Sequence, residues 1–320
     1  MQFDQCIIFR NPISTNARHA DERIADLRRA YPKATFTIVA TTSAGREMNK
    51  QLLRTHADKL GRRTLLCIAA GDGTVNVVVE ALLADPYFSD EARRTPVLPL
   101  WCGNANDLAY MLNGAPSSAA IERVAQKGRV VSIRPLVCTL TLASTQTAPE
   151  TRLAVCYASF GATAFAARAL EASMRKDTQT YPLPGFRFVR ELTLAAIALS
   201  RAPRFNIEEA GRKYPIFERI FLNGSRFAKV AAVPLDLTDG HLHSTTITSK
   251  RFSSLFFHIA KLTKRTHTGD VTVTHATFTL ADEVWAQFDG ETMRIPHGTK
   301  VNITLSPRPF YALSVLLTNK

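Results

Sequence analysis

Apolar positions in the first 135 residues alternate between short continuous runs and stretches with helical spacing. The continuous runs predict buried strands, at residues 5–10, 34–40, 63–69 and 96–100. The stretches with helical spacing follow these strands and predict helices, at residues 17–30, 46–60, 76–83 and 106–112. Because strands that alternate with helices form a parallel sheet between two helical layers, we expect an α/β fold, a three-layer doubly wound domain, over residues 1–135.

The pattern changes after Pro135. A period of two, clearest at residues 140–142 and 271–274, predicts a mostly antiparallel β-sandwich domain over residues 136–305. Its predicted strands cover residues 137–143, 153–159, 216–222, 229–233, 244–248, 270–280, 284–288 and 300–305. Its predicted helices cover residues 163–174, 186–199 and 251–264. Residues 306–320, apolar at 313–317, are expected to complete the first domain.

Composition narrows the functional class. The 320 residues include 40 Lys+Arg and 27 Asp+Glu, a formal net charge of +13, which favours an anionic partner: a nucleotide, a nucleic acid or an acidic membrane surface. A hydrophobic fraction of 46% is enough for a core and excludes a wholly disordered chain. No apolar stretch is long enough to span a bilayer, no secretion signal is evident, and the five cysteines lack metal or disulfide spacing. We therefore predict a reduced, cytoplasmic protein.

Three polar turns follow predicted strands. They are Asn11-Pro12-Ile13-Ser14-Thr15-Asn16, Ala70-Gly71-Asp72-Gly73-Thr74 and Gly103-Asn104-Ala105-Asn106-Asp107. Glycines at a strand-to-helix turn let backbone N–H groups approach a phosphate, and ligands of doubly wound sheets bind at the carboxyl ends of the strands. An ordinary tight turn explains any one of them, but three at one edge favour a phosphate-binding cleft. The second turn is neither a Walker A loop nor a dinucleotide fingerprint, because no Gly-Lys-Ser/Thr follows it and residue 76 is Asn.

These turns, with two later Asp-Gly pairs, resemble the diacylglycerol kinase catalytic-domain superfamily, which includes bacterial lipid kinases, sphingosine kinases and ceramide kinases. Residues 70–74 are similar to the family's Gly-Gly-Asp-Gly-Thr, and residues 103–109 to its Gly-Thr-x-Asn-Asp-Phe-Ala. Asp239-Gly240 and Asp289-Gly290-Glu291 follow in the family's order, although an Asp-Gly pair by itself indicates only a hairpin.

The resemblance implies an ATP-dependent lipid kinase that transfers the γ-phosphoryl group to a lipid hydroxyl, most simply converting diacylglycerol to phosphatidic acid. The residues that it implies for nucleotide binding are Asn11, Pro12, Ser14, Thr41, Gly71, Asp72, Gly73, Thr74, Asn104 and Asp289. Asp72 and Asp107 would hold the catalytic Mg²⁺, and Asp236, Asp239 and His241 a second, structural Mg²⁺. Glu291 would be the general base, as in bacterial members, whereas sphingosine-kinase-like members assign that role to the position of Asp72.

The implied partners are ATP and a lipid substrate at an anionic membrane surface, with peripheral association at the inner face of the membrane and a homodimer as an option. Basic amphipathic segments at residues 186–201 and 251–265 suit such a surface, although both could instead pack on the sheets. Nucleic-acid binding is the least expected role of the positive charge, because no aromatic-basic RNA-binding signature is present.

Several residues depart from the family pattern: Thr15 and Ala70 replace glycines, and Val77 replaces a glutamate. They keep other functions open. One is a catalytically weak nucleotide- or lipid-binding module on the same fold, and another is a kinase for a sphingoid base, phosphatidylglycerol or a polyprenol. An NAD kinase shares the Gly-Asp-Gly-Thr turn, but its further motifs do not appear here in their expected form.

Overall fold

The computed structural model describes residues 2–14, 16–42, 45–103, 105–142, 148–175, 186–227, 231–232, 240–249 and 271–317. The chain divides into two compact units. The first comprises Met1–Pro135 with Gly224–Gly240 and Ser306–Lys320, and the second comprises Leu136–Asn223 and His241–Leu305. The sequence prediction had placed residues 224–240 with the second domain. They group with the first because the strand at Arg226–Phe227 packs on the helix at Asp107–Asn113 of the first unit.

The described strands, in chain order, are β1 (Gln5–Arg10), β2 (Thr35–Ala40), β3 (Thr64–Ala69), β4 (Val97–Pro99), β5 (Arg129–Ile133), β6 (Leu136–Leu142), β7 (Glu150–Ala154), β8 (Tyr157–Gly161), β9 (Phe205–Glu209), β10 (Arg212–Ile216), β11 (Glu218–Leu222), β12 (Arg226–Phe227), β13 (Ala231–Ala232), β14 (Leu242–Ile247), β15 (Val271–Val273), β16 (His275–Leu280), β17 (Val284–Phe288), β18 (Glu291–Ile295), β19 (Thr299–Leu305) and β20 (Phe310–Ser314). The described α-helices are α1 (Ala20–Ala30), α2 (Arg46–Arg54), α3 (Asp72–Ala84), α4 (Asp107–Asn113), α5 (Ser118–Lys127), α6 (Ala162–Arg175) and α7 (Phe186–Arg201).

The first unit is built on a six-stranded sheet in the order β2-β1-β3-β4-β20-β5. All neighbours pair in parallel except β20 and β5. Side chains on both faces of its central strands are buried: Leu65 and Cys67 pack in a core with α1 and α5, while Leu66 and Ile68 are covered on the opposite face. This is the parallel α/β domain that the sequence predicted, and that part of the fold class is confirmed.

The second unit contains two antiparallel sheets, in the orders β10-β9-β16-β19-β6-β7 and β15-β14-β11-β8-β17-β18. A single core joins them, because Phe278 from the first sheet meets Phe160 and Phe221 from the second. The rings of Phe221 and Phe278 stack with their centroids 6.0 Å apart. The predicted β-sandwich is therefore confirmed.

Two long predicted strands were wrong. Residues 153–159 form β7 and β8 with a turn between them, because the Asp289 carboxylate accepts hydrogen bonds from the amides of Val155, Cys156 and Tyr157. Residues 271–280 form β15 and β16, which belong to different sheets. The predicted helix at residues 251–264 lies outside the described residues, and the predicted strand at 229–233 is described only at residues 231 and 232. All five cysteines are buried and free.

No helix in the described ranges is both long enough and apolar enough to cross a bilayer.

Candidate phosphate-binding site

The first two turns predicted from the sequence, and Thr41, follow strands that end at the same edge of the first sheet. Arg10 at the end of β1 pairs with both Ala40 and Ala69, so β1, β2 and β3 end together. The next residues continue this pairing: the Asn11 amide donates to the Ala69 carbonyl at 3.1 Å, and the Thr41 amide donates to the Arg10 carbonyl at 2.8 Å. The sheet thus brings Asn11, Thr41 and the turn at residues 70–74 to the edge where doubly wound sheets bind ligands.

The first turn is held by its own asparagine. The Asn11 side-chain oxygen accepts a hydrogen bond from the Ile13 amide at 3.1 Å, while its carbonyl accepts from the Ser14 hydroxyl at 3.1 Å. Pro12, between them, has a fixed φ that favours a turn. Asn11, Pro12 and Ser14 therefore fix the shape of the turn and leave Ile13 76% exposed at its tip.

The glycine-rich turn packs directly against the turn that follows β4. A Cβ added to Gly103 would lie 2.2 Å from the Gly71 Cα, a distance that no side chain tolerates. Gly71 is the N-cap of α3, whose first turn contains Asp72, Gly73 and Thr74. The amides at such a helix start face outward and favour a bound anion, so this pair of turns is suited to holding phosphate groups.

Asp72 connects α3 to the start of α4. Its carboxylate accepts hydrogen bonds from the amides of Asp107 at 3.0 Å and Leu108 at 3.3 Å. Asn106, the N-cap of α4, makes no side-chain hydrogen bond to that helix, and its side chain instead bonds the Gly103 amide and carbonyl. Asp72 thus caps α4 from outside the helix, and its carboxylate contacts the backbone of the second predicted acidic residue, Asp107.

Asp107 pairs with an arginine that the sequence analysis did not single out. Its Oδ1 lies 3.3 Å from the Nε of Arg226, and Asp107 itself is only 1% exposed. The Arg226 guanidinium lies over the ring of Tyr110, with its carbon 4.4 Å from the ring centroid. No local pattern could have identified this residue, because it lies 119 positions away from Asp107 in the chain.

Three predicted site residues, Asp289, Glu291 and His241, belong to the second unit. Asp289, with φ of 47°, is 3% exposed and holds the turn between β7 and β8 through its carboxylate, which gives it a structural role. Glu291 is the first residue of β18 and is partly exposed. Its assignment as the general base stays a prediction.

Some of the predicted metal and nucleotide residues fall outside the structural description. Asn104, Asp236 and Asp239 are outside the described residues, and His241 is exposed in the second unit. Among the residues that the structure does describe, no group of three or more His, Cys, Asp or Glu side chains is arranged to hold a metal ion. The second, structural Mg²⁺ site therefore stays a prediction.

Residues 5–134 match the diacylglycerol kinase catalytic domain. The N-terminal domain belongs to this family. The resemblance noted in the sequence is thereby confirmed for the part of the chain that carries the three turns. The family is one of kinases, so the domain is a phosphotransferase domain that uses a nucleotide.

Solved structures similar to this one cover almost the whole chain. A diacylglycerol kinase from Bacillus anthracis str. Sterne superposes with a TM-score of 0.64 at 15% identity, covering 98% of both chains. Yeast NADH kinase complexed with NADH superposes with a TM-score of 0.55 at 11% identity, covering 99% of this chain and 84% of the other. At these identities the similarity shows the shared fold alone. A search of the curated proteins gives no match.

The departures from the family pattern have clear places in this diacylglycerol kinase catalytic domain. Ala70 is 2% exposed, so its methyl group is accommodated inside the protein rather than on the surface of the turn. Val77 is buried in α3, where it adds to the core and contributes no polar group to the site. Both substitutions leave the backbone amides of the turn and of α3 in place.

The donor set of Asp72 and Asp107 fits a magnesium ion. Mg²⁺ in kinases is held by one or two carboxylates together with substrate phosphates and waters. In this structure the Asp72 carboxylate accepts hydrogen bonds from the amides of α4, and the Asp107 carboxylate pairs with the Arg226 guanidinium. Arg226 is nevertheless a competing positive charge beside Asp107.

Proposed function

We propose that this protein is an ATP-dependent lipid kinase that transfers the γ-phosphoryl group of ATP to a lipid hydroxyl, with diacylglycerol as the simplest acceptor and phosphatidic acid as the product. The observation on which the proposal rests is the position of Asp72 in the turn at residues 70–74. Its carboxylate accepts hydrogen bonds from the first amides of α4, the helix that begins at Asp107. The family of the N-terminal domain supports the reaction class. The acceptor, Mg²⁺ and a peripheral position at the inner face of the membrane, with a homodimer as an option, belong to the proposal.

Phosphoryl transfer depends on positioning and on charge neutralisation more than on covalent chemistry. The turn at Gly71–Thr74 would bind the phosphates through backbone amides. The turn at Asn11–Ser14, whose own amides are bonded to β3 and within the turn, would lie beside them together with Thr41. Asp72 and Asp107 would hold Mg²⁺, which when bound neutralises charge on the phosphates. Glu291 would accept the proton of the lipid hydroxyl.

The experiment compares the wild type with Asp72→Asn in transfer of labelled γ-phosphoryl from ATP to acceptors in mixed micelles: diacylglycerol, sphingoid base, phosphatidylglycerol and polyprenol, with NADH as a soluble acceptor. Asparagine keeps an oxygen that can accept from the α4 amides and removes the charge. We expect label in one lipid and a loss of about a hundredfold or more in the variant. Asp90→Asn, at a side chain that is 87% exposed, is the matched control.

Label in NADH alone would contradict the lipid proposal and favour a nucleotide kinase. ATP binding with no label in any acceptor would contradict kinase activity and favour the binding module. Equal activity of Asp72→Asn and wild type would show that Asp72 only caps α4.

A further inference from the structure

A polar cavity lies in the first unit, beside the turn that follows β4. It has a volume of about 310 Å³, at the lower end of the range for small-molecule sites. Its lining combines guanidinium, imidazole and amide groups with aromatic rings. The residues that matter for the argument are Asn16, His19, Arg23, Trp101, Tyr110 and Arg226.

Arg226 reaches this cavity with most of its hydrogen-bonding capacity unused. A guanidinium has five N–H donors, and within the described residues only the Nε of Arg226 donates, to Asp107 at 3.3 Å. The Tyr110 ring packs against the guanidinium and fixes its plane. The side chain is 25% exposed, so its two terminal nitrogens are available to a ligand.

Arg23 contributes a second donor group to the cavity. Its side chain is 11% exposed, and its buried Nε has no acceptor among the residues that the structure describes. Nη1 makes two long contacts of 3.4 Å, to Asp26 and to the Ser117 carbonyl. Asp26 also pairs with Arg29, so one carboxylate is shared by two arginines. A buried N–H without an acceptor is costly, and a ligand oxygen would remove that cost.

Three acidic side chains lie around the cavity, and they do not neutralise all of its positive charge. Asp107 pairs with Arg226, and Asp26 is shared between Arg23 and Arg29. Glu22 lies 3.6 Å from His19. Asn16 is already committed, because its side-chain amide donates to the Gly103 carbonyl at 2.6 Å. The unused donors of the cavity are therefore those of the guanidinium groups, which match the oxygens of a phosphate.

We propose that this cavity, which borders the turns at residues 11–16 and 103–107 through Asn16 and Asn106, is an additional phosphate-binding site in which Arg226 and Arg23 bind a phosphate monoester or diester. The Tyr110 and Trp101 rings and Pro116 give the rest of the cavity apolar walls, which suits a phosphate attached to a short carbon chain. A free small phosphate and the headgroup of an anionic phospholipid share this chemistry. The inference does not depend on kinase activity, because it concerns binding alone.

The test is calorimetric titration of the full chain with inorganic phosphate and with glycerol 3-phosphate, while a non-hydrolysable ATP analogue saturates the nucleotide site. Flotation with phosphatidylcholine vesicles, with and without phosphatidylglycerol, is the second arm. We expect Arg226→Gln and Arg23→Gln each to weaken binding about tenfold or more, since each removes a charge-assisted hydrogen bond. Arg62→Gln, a side chain 63% exposed beside Glu91, should bind like the wild type.

A spectroscopic measurement keeps the proposal testable if Arg226→Gln does not fold. The chain has two tryptophans, so in a Trp285→Phe background the emission comes from Trp101 in the cavity wall alone. We expect phosphate to change this emission, and the change to be lost in Arg23→Gln.

The two arms together identify the ligand. Selective binding to phosphatidylglycerol vesicles without response to soluble phosphates would assign a lipid headgroup, and the reverse would assign a soluble ligand. Binding by neither arm, or equal binding by the wild type and both arginine variants, would overturn the site.

Discussion

Gly103 has no room for a side chain, because its missing Cβ would lie 2.2 Å from the Gly71 Cα and 3.1 Å from Asn106. A methyl group there has to push the two turns apart. We expect Gly103→Ala to lower the free energy of unfolding by about 2–4 kcal/mol and to weaken ATP binding, measured by urea denaturation and calorimetry.

Gly61→Ala is the matched control for this prediction. Its Cβ would meet Glu91 at an ordinary distance of 3.4 Å, so its stability should stay within about 0.5 kcal/mol of the wild type. If Gly103→Ala were as stable as Gly61→Ala and bound ATP normally, the close packing of the two turns would contribute nothing to the free energy of unfolding or to ATP binding.

Glu218 is a fully buried acid at the first position of β11. Burial raises the pKa of its carboxyl group to about 8, although the Thr163 amide donates to it at 2.6 Å and favours the charged form. One carboxyl oxygen has no hydrogen-bond partner within the described residues. The folded protein therefore keeps a proton on Glu218 that the unfolded chain releases near 4.5.

This difference in proton binding makes stability depend on pH. Because the folded state binds the extra proton, the free energy of unfolding should fall as the pH rises from about 4.5 to about 8. Glu218→Gln cannot ionise, so we expect its stability relative to the wild type to rise over that interval, measured by urea denaturation at about pH 5 and about pH 8. Glu122→Gln, at an exposed position on α5, should show no such trend; a parallel trend in both variants would exclude Glu218 as the cause.

The sequence predicts that Asn11, Gly71 and Asp72 lie at one edge of the sheet, because each belongs to a turn that follows a predicted parallel strand. Arg226 did not, since it reaches Asp107 only through the tertiary fold. The capping of α4 by Asp72 was equally hidden: a carboxylate in a glycine turn carries no local sign of the helix to which it bonds.

Helix α4 starts from a residue in a left-handed conformation, Asn106, with φ of 54°. Its side chain bonds both the amide and the carbonyl of Gly103. Asn106→Gly removes these side-chain hydrogen bonds, but glycine adopts the left-handed conformation without strain. Asn106→Ala removes the same bonds and in addition disfavours that conformation. We expect alanine to cost about 1–2 kcal/mol more than glycine in thermal or urea unfolding. Equal losses would show that the backbone conformation at residue 106 carries no strain.

Elements with a strong apolar period were predicted well, and those without one were missed. Strands β1 and β17 have the predicted bounds, because a buried strand needs a continuous apolar run or clear alternation. Strand β10, with its polar residues and Pro215, and strand β20, which follows two prolines, show neither pattern. Helix α3 begins at Asp72 instead of residue 76, since its first turn is fixed by the glycine N-cap rather than by apolar spacing.

The net charge of +13 is a property of the whole molecule and predicts its behaviour at membranes. Attraction between a basic protein and an anionic surface is screened by salt, with a Debye length of about 8 Å at physiological ionic strength. We expect the purified protein to sediment with anionic vesicles at low salt and to be released at high salt. Sedimentation with neutral vesicles to the same extent would rule out the electrostatic explanation.

Strand β20 fills the position between β4 and β5, where Ala312 pairs with Val97 and five residues pair antiparallel with β5. During translation, β4 and β5 leave the ribosome long before residues 310–314 are synthesised. The sheet of the first unit consequently keeps a gap until residues 310–314 have emerged. A stop codon placed just before residue 310 should therefore damage the turns at residues 11–16, 70–74 and 103–107, which lie far from it in the sequence.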